Sequence, residues 1–316
     1  MSGALPAGFR IGHWTDSARR TGCTAVLAGG VCAGAADVRG GAPGTRETQL
    51  FTPGNLVSRI DAVVLCGGSA FGLAAAGGVA RYLKERRIGY PVSTAAGTGV
   101  VPIVSAVVLF DLSVGDPDAY PDDAAGYSAA AEASPELPAE GAVGAGTGAT
   151  VGKLLGVARS SPGGIGYASI RIGGGEVAAI AAVNAFGDVV ADDGTILAGA
   201  RASSGAWAGS AESLLNGDLE GSPLAERTAG SNTTLVCVLT DIPFDSGALR
   251  RVAIEAHDGI SRAVRPVHTL VDGDAVFAMA PEGNAPDLLT RLRAGVAAAE
   301  ATERAIRRAV APSREV

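Results

Sequence analysis

The chain has 316 residues, 47% of them hydrophobic and 18% charged, which is enough for one large α/β domain or two ordinary ones with a substantial core. The net charge of −7 and the lack of a basic stripe argue against nucleic-acid binding, and 46 glycines without a three-residue period exclude collagen. No apolar run approaches the roughly 18 residues that span a bilayer, and the start lacks signal-peptide features, so we expect a cytoplasmic protein that does not bind membranes.

The N-terminal segments are predicted to be strands followed by a polar loop. Residues 7–35 carry short alternating apolar segments, which indicate an antiparallel hairpin. Residues 37–48 follow as a turn-rich segment with two arginines. A surface Ω-loop and a loop beside an active site explain this segment equally well, and the sequence leaves the choice open.

A strand, a glycine turn and a helix come next. Residues 61–66 form a buried strand, and the turn after it opens a helix that runs to about Glu85. The turn resembles a nucleophile elbow, but Phe71 stands where the Gly-x-Ser-x-Gly template needs glycine. We therefore expect Ser69 to be the N-cap of the helix rather than a nucleophile. Strand-like residues 99–112 follow.

The middle of the chain contains a glycine-rich stretch with an unusual lysine. An alanine-rich helix at about 123–133 precedes residues 141–156, which contain this stretch. It fails the Walker A template, because that template needs glycine in place of Thr147 and Ser or Thr in place of Leu154. What remains is Lys153, one of only two lysines in the chain. A solvated loop lysine and a site lysine are equally compatible with this pattern.

Two further strands are predicted within residues 167–192, and Asn184 ends the second of them. An asparagine in this position is either a turn former or an amide donor that faces a site. Residues 199–230 are rich in Gly, Ser and Ala and are predicted to be a surface excursion. This excursion leads into a buried strand at 234–240.

The bond between Asn232 and Thr233 is a candidate for self-cleavage. Asn and Thr are common at turns and strand starts, which is the ordinary interpretation of this pair alone. Cleavage would leave Thr233 as a new N-terminus, with its hydroxyl beside its own α-amine. Such an amine has a pKa near ~8 and can act as the base for the hydroxyl.

The C-terminal part is predicted to be helix, turn, strand and helix. A helix covers about 246–265, and the segment Asp272-Gly273-Asp274 lies between two strand-like runs. Asp-Gly is a strong hairpin signal, so a plain turn is the default expectation for this segment. The last helix runs from about Asp287 to Val310, with basic residues near its end that suit the helix dipole. Its apolar stripe consists of Leu288, Leu292, Val296 and Ile306.

The cysteines and histidines show no metal-binding pattern. Each cysteine falls in or beside an apolar segment without Cys-x-x-Cys spacing, which favours buried free thiols over disulfides or metal ligands. The histidines are too scattered to predict a metal site, and we expect neither a metal nor a cofactor. These residues are Cys23, Cys32, Cys66, Cys237, His13, His257 and His268.

Several segments together resemble the DmpA/BapA/NylC family of self-processing N-terminal-nucleophile hydrolases. The resemblance implies an α/β fold of the layered αββα type, in which helices enclose two central sheets. It also implies one hydrolase domain, 1–316, processed into an α subunit, 1–232, and a β subunit, 233–316. The matching segments keep one order across nearly the whole chain, at 39–48, 67–73, 144–153, 163–166, 232–234 and 268–274.

The resemblance also implies roles for individual residues. Thr233 matches the nucleophile that is freed by cleavage after Asn232. Asn184 matches an asparagine of the oxyanion site, and Lys153 matches a lysine beside the nucleophile in the nylon-oligomer-hydrolase branch. The paired aspartates of that branch match Asp272 and Asp274, where the β-aminopeptidase branch has Ser and Glu. This chemistry requires neither a metal nor a cofactor.

One position departs from the family pattern. Phe110 stands where relatives of both branches can carry tyrosine, so a phenolic hydroxyl is missing here. We therefore expect Phe110 to bear on substrate binding rather than on proton transfer.

The expected function is hydrolysis of peptide-like or oligoamide bonds, such as those of 6-aminohexanoate oligomers, by a homo-oligomer that is a tetramer of αβ units. The aspartate pair and the lysine favour this activity over the alternative within the family, a β- or D-amino-acid aminopeptidase. An acyltransferase like the ornithine acetyltransferases and an uncleaved binding homologue also stay open. The expected partner is a small peptide or oligoamide substrate.

Overall fold

The computed structural model describes residues 4–52, 54–218 and 232–311, and these form sixteen strands and five α-helices. The helices are α1 (Ala75–Glu85), α2 (Asp123–Ala131), α3 (Ser210–Asn216), α4 (Ser246–Ala263) and α5 (Leu288–Ala309). The strands are β1 (Phe9–Asp16), β2 (Thr21–Val38), β3 (Thr45–Arg46), β4 (Arg59–Cys66), β5 (Tyr90–Thr94), β6 (Gly97–Val101), β7 (Val104–Val108), β8 (Thr150–Val151), β9 (Ser161–Pro162), β10 (Gly164–Ile172), β11 (Gly175–Asn184), β12 (Asp188–Val190), β13 (Ile196–Ala198), β14 (Thr233–Thr240), β15 (Val264–Arg265) and β16 (Ala275–Pro281).

A nine-stranded sheet forms the centre of the described structure. Its order is β10-β11-β14-β16-β2-β4-β7-β3, and β1 pairs with β2 outside this path. Strand β2 is 18 residues long, and its pairing with β4 is irregular between Leu27 and Cys32. Its first part pairs with β1 and β4, and its last part pairs with β16. The two predicted sheets are therefore two halves of one hydrogen-bonded sheet, joined through β2.

Side-chain alternation along the strands separates three apolar layers. On β14, Leu235 and Cys237 face the core between the two halves of the sheet, whereas Val236 and Val238 face α4 and α5. On β4, Val64 and Cys66 pack instead under α1 and α2. This is the arrangement of helices outside and sheet halves inside that the family resemblance implies.

Most predicted elements are present, and two local predictions are wrong. Ser69 is not the N-cap: Gly68 occupies that position, and Ser69 is the first residue of a short 3-10 helix with φ of 52°. The Asp272-Gly273-Asp274 segment is not a hairpin turn, because the residues before it form a loop and β15 pairs with β12 instead. Both aspartates accept backbone N–H groups of that loop, which stabilises it against an extended strand.

The surface excursion predicted at 199–230 is described only in its first part. This part contains β-bridge residues Arg201 and Trp207 and the short helix α3. The remainder of the excursion, from residue 219 onward, lies outside the described residues.

The last helix has its predicted position, and Asp287 caps it by accepting from the N–H of Thr290. Only Ile306 of the apolar stripe is buried, because alanines form most of the face that packs on the sheet. The other three members are exposed, and they are Leu288, Leu292 and Val296.

The four cysteines are buried free thiols, as predicted. Cys23 and Cys66 lie in the apolar layer under α1 and α2, and Cys32 and Cys237 lie in the core between the two halves of the sheet. Burial raises the pKa of Cys23 and Cys32 to about 12. Among the described helices, none combines the length and the apolar character needed to cross a membrane.

Candidate active site

Thr233 is the first residue of β14 and lies directly opposite Asn184, the last residue of β11. Both side chains face the core between the halves of the sheet, since residues opposite each other in a strand pair share a face. Thr233 is 3% exposed and Asn184 is fully buried. The strand register therefore brings together two residues that are far apart in the sequence.

The peptide bond between Asn232 and Thr233 is held in a defined geometry. The Thr233 hydroxyl donates to the carbonyl oxygen of Asn232, and the backbone N–H of Gly273 donates to the same oxygen at 2.8 Å. Asn232 also pairs with Asp272 as an isolated parallel bridge. A nucleophile next to a carbonyl whose oxygen already accepts an N–H is an arrangement suited to attack on that carbonyl.

The Asn184 side chain is fixed by donors and acceptors on several sides. Its Oδ1 accepts from the backbone N–H of Thr150 at 2.9 Å and from Lys153 Nζ at 2.8 Å. Its Nδ2 donates to the carbonyl oxygen of Phe110 at 3.0 Å. At least one N–H of the amide is therefore used to position Asn184, and the oxyanion role expected for it stays a prediction.

Lys153 lies inside the protein and not on a solvated loop. Its side chain is 6% exposed, and Nζ donates to the backbone oxygen of Asn184 at 2.7 Å as well as to Oδ1. Burial lowers the pKa of Lys153 to about 7, against the opposing effect of Asp272, Asp111 and Asp274. A buried amine with such a pKa can exchange a proton near neutrality.

Asp272 is a buried carboxylate next to the bond between Asn232 and Thr233. Its Oδ2 accepts from the backbone N–H and the hydroxyl of Thr269, at 3.0 and 2.5 Å, and its Oδ1 accepts from the N–H of Phe186 at 3.2 Å. Burial and the neighbouring charge of Asp274 raise the pKa of Asp272 to about 6. This carboxyl group is therefore poised between its two protonation states near neutral pH.

Asp274 holds the start of β14 by a backbone hydrogen bond. Its Oδ1 accepts from the backbone N–H of Thr234 at 2.6 Å, one residue beyond Thr233. Its Oδ2 accepts from the backbone N–H of His268 at 3.1 Å and contacts His268 Nδ1 at 2.8 Å. The two aspartates thus form hydrogen bonds with different neighbours, although the family resemblance implies that they work as a pair.

The loop at 39–44 packs directly against the loop that carries the aspartates. The N–H of Gly41 donates to the oxygen of Thr269 at 3.2 Å, and the N–H of Ala42 donates to the oxygen of Asp272 at 2.8 Å. A Cβ on Gly40 would lie 2.3 Å from the backbone oxygen of Asp272. The question that the sequence leaves open is therefore answered, because this loop is a wall of the candidate site.

Asp111 is a site residue that sequence reasoning misses. It follows β7, is 2% exposed, and accepts from the N–H of Gly68 at 2.7 Å. Burial raises the pKa of Asp111, and the positive charge of Lys153 opposes that rise. The signal in the sequence is weak, since an aspartate after an apolar run ordinarily marks a turn.

The structure brings together five of the sequence-predicted residues around the bond between Asn232 and Thr233, and Phe110 contributes its backbone oxygen beside them. Gly273 and His268 join the site although the sequence predicts no role for them. Within the described ranges, no group of three His, Cys, Asp or Glu side chains is arranged to hold a metal. The five residues are Thr233, Asn184, Lys153, Asp272 and Asp274.

Comparison with known proteins gives one family. Residues 7–316 match the model of peptidase family S58. An uncharacterized aminopeptidase of Mycobacterium tuberculosis (strain ATCC 25618 / H37Rv) is 41% identical over 323 residues, covering 95% of this chain and 90% of the relative. The 6-aminohexanoate-oligomer endohydrolase of Paenarthrobacter ureafaciens is 30% identical over 260 residues, covering 82% of this chain and 69% of that enzyme.

A solved structure shows the same fold. The L-aminopeptidase D-Ala-esterase/amidase from Ochrobactrum anthropi, described as a variant of the Ntn hydrolase fold, superimposes with a TM-score of 0.70. The similarity covers 97% of this chain and 85% of that one at 18% sequence identity. The layered α/β fold is therefore that of the Ntn hydrolase aminopeptidases.

Proposed function

This chain belongs to peptidase family S58 and is a hydrolase of the aminopeptidase or amidase kind, and from that premise we propose that it activates itself by cleaving the bond between Asn232 and Thr233. The observation that carries the proposal is the geometry of this bond. The Thr233 hydroxyl contacts the Asn232 carbonyl, and the N–H of Gly273 polarises its oxygen. An ordinary surface turn would not require these contacts together with burial of both residues.

Self-cleavage begins with an acyl shift. Thr233 Oγ1 attacks the carbonyl carbon of Asn232, and the N–H of Gly273 stabilises the negative charge on the oxygen. The bond from that carbon to the Thr233 nitrogen then breaks, and the hydroxyl proton is transferred to this nitrogen. Water hydrolyses the resulting ester, which gives the Asn232 carboxylate at the end of residues 1–232 and restores the Thr233 hydroxyl at the start of 233–316.

The proton cannot be taken directly by the Thr233 nitrogen when the attack begins, because that nitrogen is still an amide. The groups suited to move it are the buried amine of Lys153 and the carboxyl group of Asp272, both with a pKa near neutrality. After cleavage the α-amine of Thr233, with a pKa near ~8, becomes the base for the same hydroxyl. The catalyst is thus completed by its own first reaction.

The mature enzyme is proposed to hydrolyse amides by the same chemistry. Thr233 Oγ1 forms an ester with the substrate acyl group, the amine leaves with a proton, and water releases the acid. The aspartate pair and the buried Lys153 favour oligoamides, as hydrolysed by the 30% identical 6-aminohexanoate-oligomer endohydrolase. The 41% identical relative is called an aminopeptidase, which favours the second candidate, removal of N-terminal residues from small peptides.

Replacement of the nucleophile tests the proposal. We expect Thr233→Ala to give a folded chain that stays a single band on a denaturing gel and loses at least about 10³-fold in amide hydrolysis. Thr233→Ser keeps a hydroxyl and should still be processed. The matched control is Thr234→Val, because this neighbour points to the opposite face of β14 and its hydroxyl has no partner among the described residues.

A Thr233→Ala protein that is still cleaved and still hydrolyses amides would overturn the assignment. The substrate panel should contain β-peptides, D-amino-acid amides and aminohexanoate oligomers. Each is assayed with water alone and then with an amine acceptor, so that acyl transfer is detected by its product. Light scattering of the purified protein tests the proposed tetramer of αβ units.

A further inference from the structure

Asn232 is the residue whose acyl group Thr233 attacks first, and its side chain is enclosed. The residue is 3% exposed, and Nδ2 donates to the backbone oxygen of Val271 at 3.2 Å. Its Oδ1 is buried without a hydrogen-bond partner among the described residues. The Asn232 side chain therefore occupies a built position in which a carbonyl acceptor binds its amide.

Self-cleavage and substrate hydrolysis pass through the same kind of ester. In the first reaction Thr233 Oγ1 carries the acyl group of Asn232, and in the second it carries the acyl group of the substrate. In each reaction the oxygen of the attacked carbonyl becomes negative and needs a hydrogen-bond donor. The N–H of Gly273 already donates to the Asn232 carbonyl oxygen at 2.8 Å, so it is placed to serve as that donor. An acyl group that uses the same donor and the same nucleophile places its own side chain where the Asn232 side chain lies.

We propose, on the basis of the proposed function, that the place of the Asn232 side chain becomes the acyl-residue subsite of the mature enzyme and selects asparaginyl groups among α-amino-acyl substrates. The subsite presents the Val271 oxygen, which binds an N–H donor such as a side-chain carboxamide. An aspartyl group has the same shape but no such donor, and its negative charge would face this carbonyl oxygen. An aliphatic group leaves the acceptor without a partner.

The walls of this subsite leave little room for adjustment. A Cβ on Gly273 would lie 2.8 Å from Thr233 Oγ1 and 2.8 Å from the backbone oxygen of Ala42. The loop at 39–44 and the segment 271–273 thus close around the reacting carbonyl. Discrimination by this subsite depends on backbone groups, so the sequence alone gives no hint of it.

The first test compares acyl residues in the processed wild-type enzyme. We expect kcat/KM for asparaginyl p-nitroanilide to exceed that for the aspartyl compound at least about tenfold, and to exceed those for the alanyl and leucyl compounds. Sites built around a hydrogen bond to substrate reject analogues that lack the donor by large factors. Equal values, or a preference for the aspartyl or leucyl compound, would overturn the inference.

The second test uses the precursor and needs no added substrate. Time courses on denaturing gels give the self-cleavage rates of wild type and of Asn232→Asp, Asn232→Ala and Asn232→Leu, after circular dichroism confirms that each is folded. The rank order of residue 232 in self-cleavage should equal the rank order of acyl residues in hydrolysis. Two different orders would contradict a shared subsite.

The two failures are distinguishable. Hydrolysis of several anilides without the expected order removes the subsite and leaves the proposed function in place. A protein that is not processed and hydrolyses none of the anilides, peptides or oligoamides contradicts the proposed function, and the subsite is rejected with it.

Discussion

At the scale of single residues, the candidate site is a small group of buried charges. Lys153 lies among three buried carboxylates, and it contacts Asn184 through two oxygens. The family resemblance identifies the lysine and two of the aspartates from the sequence. Asp111 could not be predicted in this way, because its proximity to Lys153 depends on how β7 and the glycine-rich segment pack together.

The protonation of Asp272 should be visible in the pH dependence of stability. Folding raises its pKa from an ordinary value of 3.8 to about 6, so the folded protein binds this proton more tightly than the unfolded chain. Its contribution is therefore fully present below about pH 4 and is lost as the pH rises through 6. The loss amounts to on the order of 3 kcal/mol of unfolding free energy.

Urea unfolding between pH 4 and 7 measures this slope, in the Thr233→Ala background so that cleavage does not interfere. Asp272→Asn in the same background is the comparison, since the amide does not titrate. Burial lowers the pKa of His13 and His257 to about 4, so both histidines add a slope of opposite sign to each profile, and the difference between the two profiles gives the Asp272 contribution. An equal pH dependence in both proteins would show that other groups are responsible.

At the scale of elements, apolar periodicity predicts the buried strands and the long helices, including β4, β11, β14 and α5. The loops that form the site are harder to predict. The Asp-Gly-Asp segment has the pattern of a hairpin turn, but its carboxylates bind local N–H groups and it runs straight into β16. The loop at 39–44 gives no decisive signal, because its contacts are made by backbone atoms.

The packing of the 39–44 loop leads to a steric prediction. A methyl group on Gly40 would overlap the backbone of Asp272 and Asp274, at 2.3 and 2.4 Å. Gly40→Ala should therefore displace the aspartate loop and slow self-cleavage at least about tenfold, since small misplacements near a reacting centre are costly. The rate is read from the appearance of the two chains on denaturing gels.

Gly30→Ala is the matched control for this experiment. Gly30 lies in β2 where its pairing with β4 is irregular, and a Cβ there would meet no atom within 4 Å. Its self-cleavage should equal that of wild type. A Gly40→Ala protein that is cleaved as fast as Gly30→Ala would show that the loop does not position the site.

At the scale of the whole molecule, the proposed cleavage cuts the chain without dividing the fold. Strand β14 begins at the cleaved bond and is hydrogen-bonded between β11 and β16, and β16 is bonded to β2. Residues 233–316 thus supply the middle of a sheet whose two sides belong to 1–232. The family resemblance predicts these two chains, and the strand order gives the physical reason why they would stay together.

We expect the processed chains to co-elute in gel filtration under native conditions and to separate only in denaturant. Residues 233–316 expressed alone should fail to unfold cooperatively, because β14 and β16 lose their pairing with β11 and β2. Separation of the two chains in native buffer would contradict the sheet order as the reason for their association.

The sharing of β2 between both halves of the sheet has a consequence for chemical damage. The cysteine thiols lie on both sides of this strand and its neighbours, and burial keeps the pKa of each far above neutrality. Thiolate, the form that oxidants and alkylating agents attack, is thus almost absent while the layers are closed. Strand β2 belongs to both apolar layers, so opening of one layer is expected to loosen the other. Resistance of the thiols to oxidation is therefore a property of the entire fold.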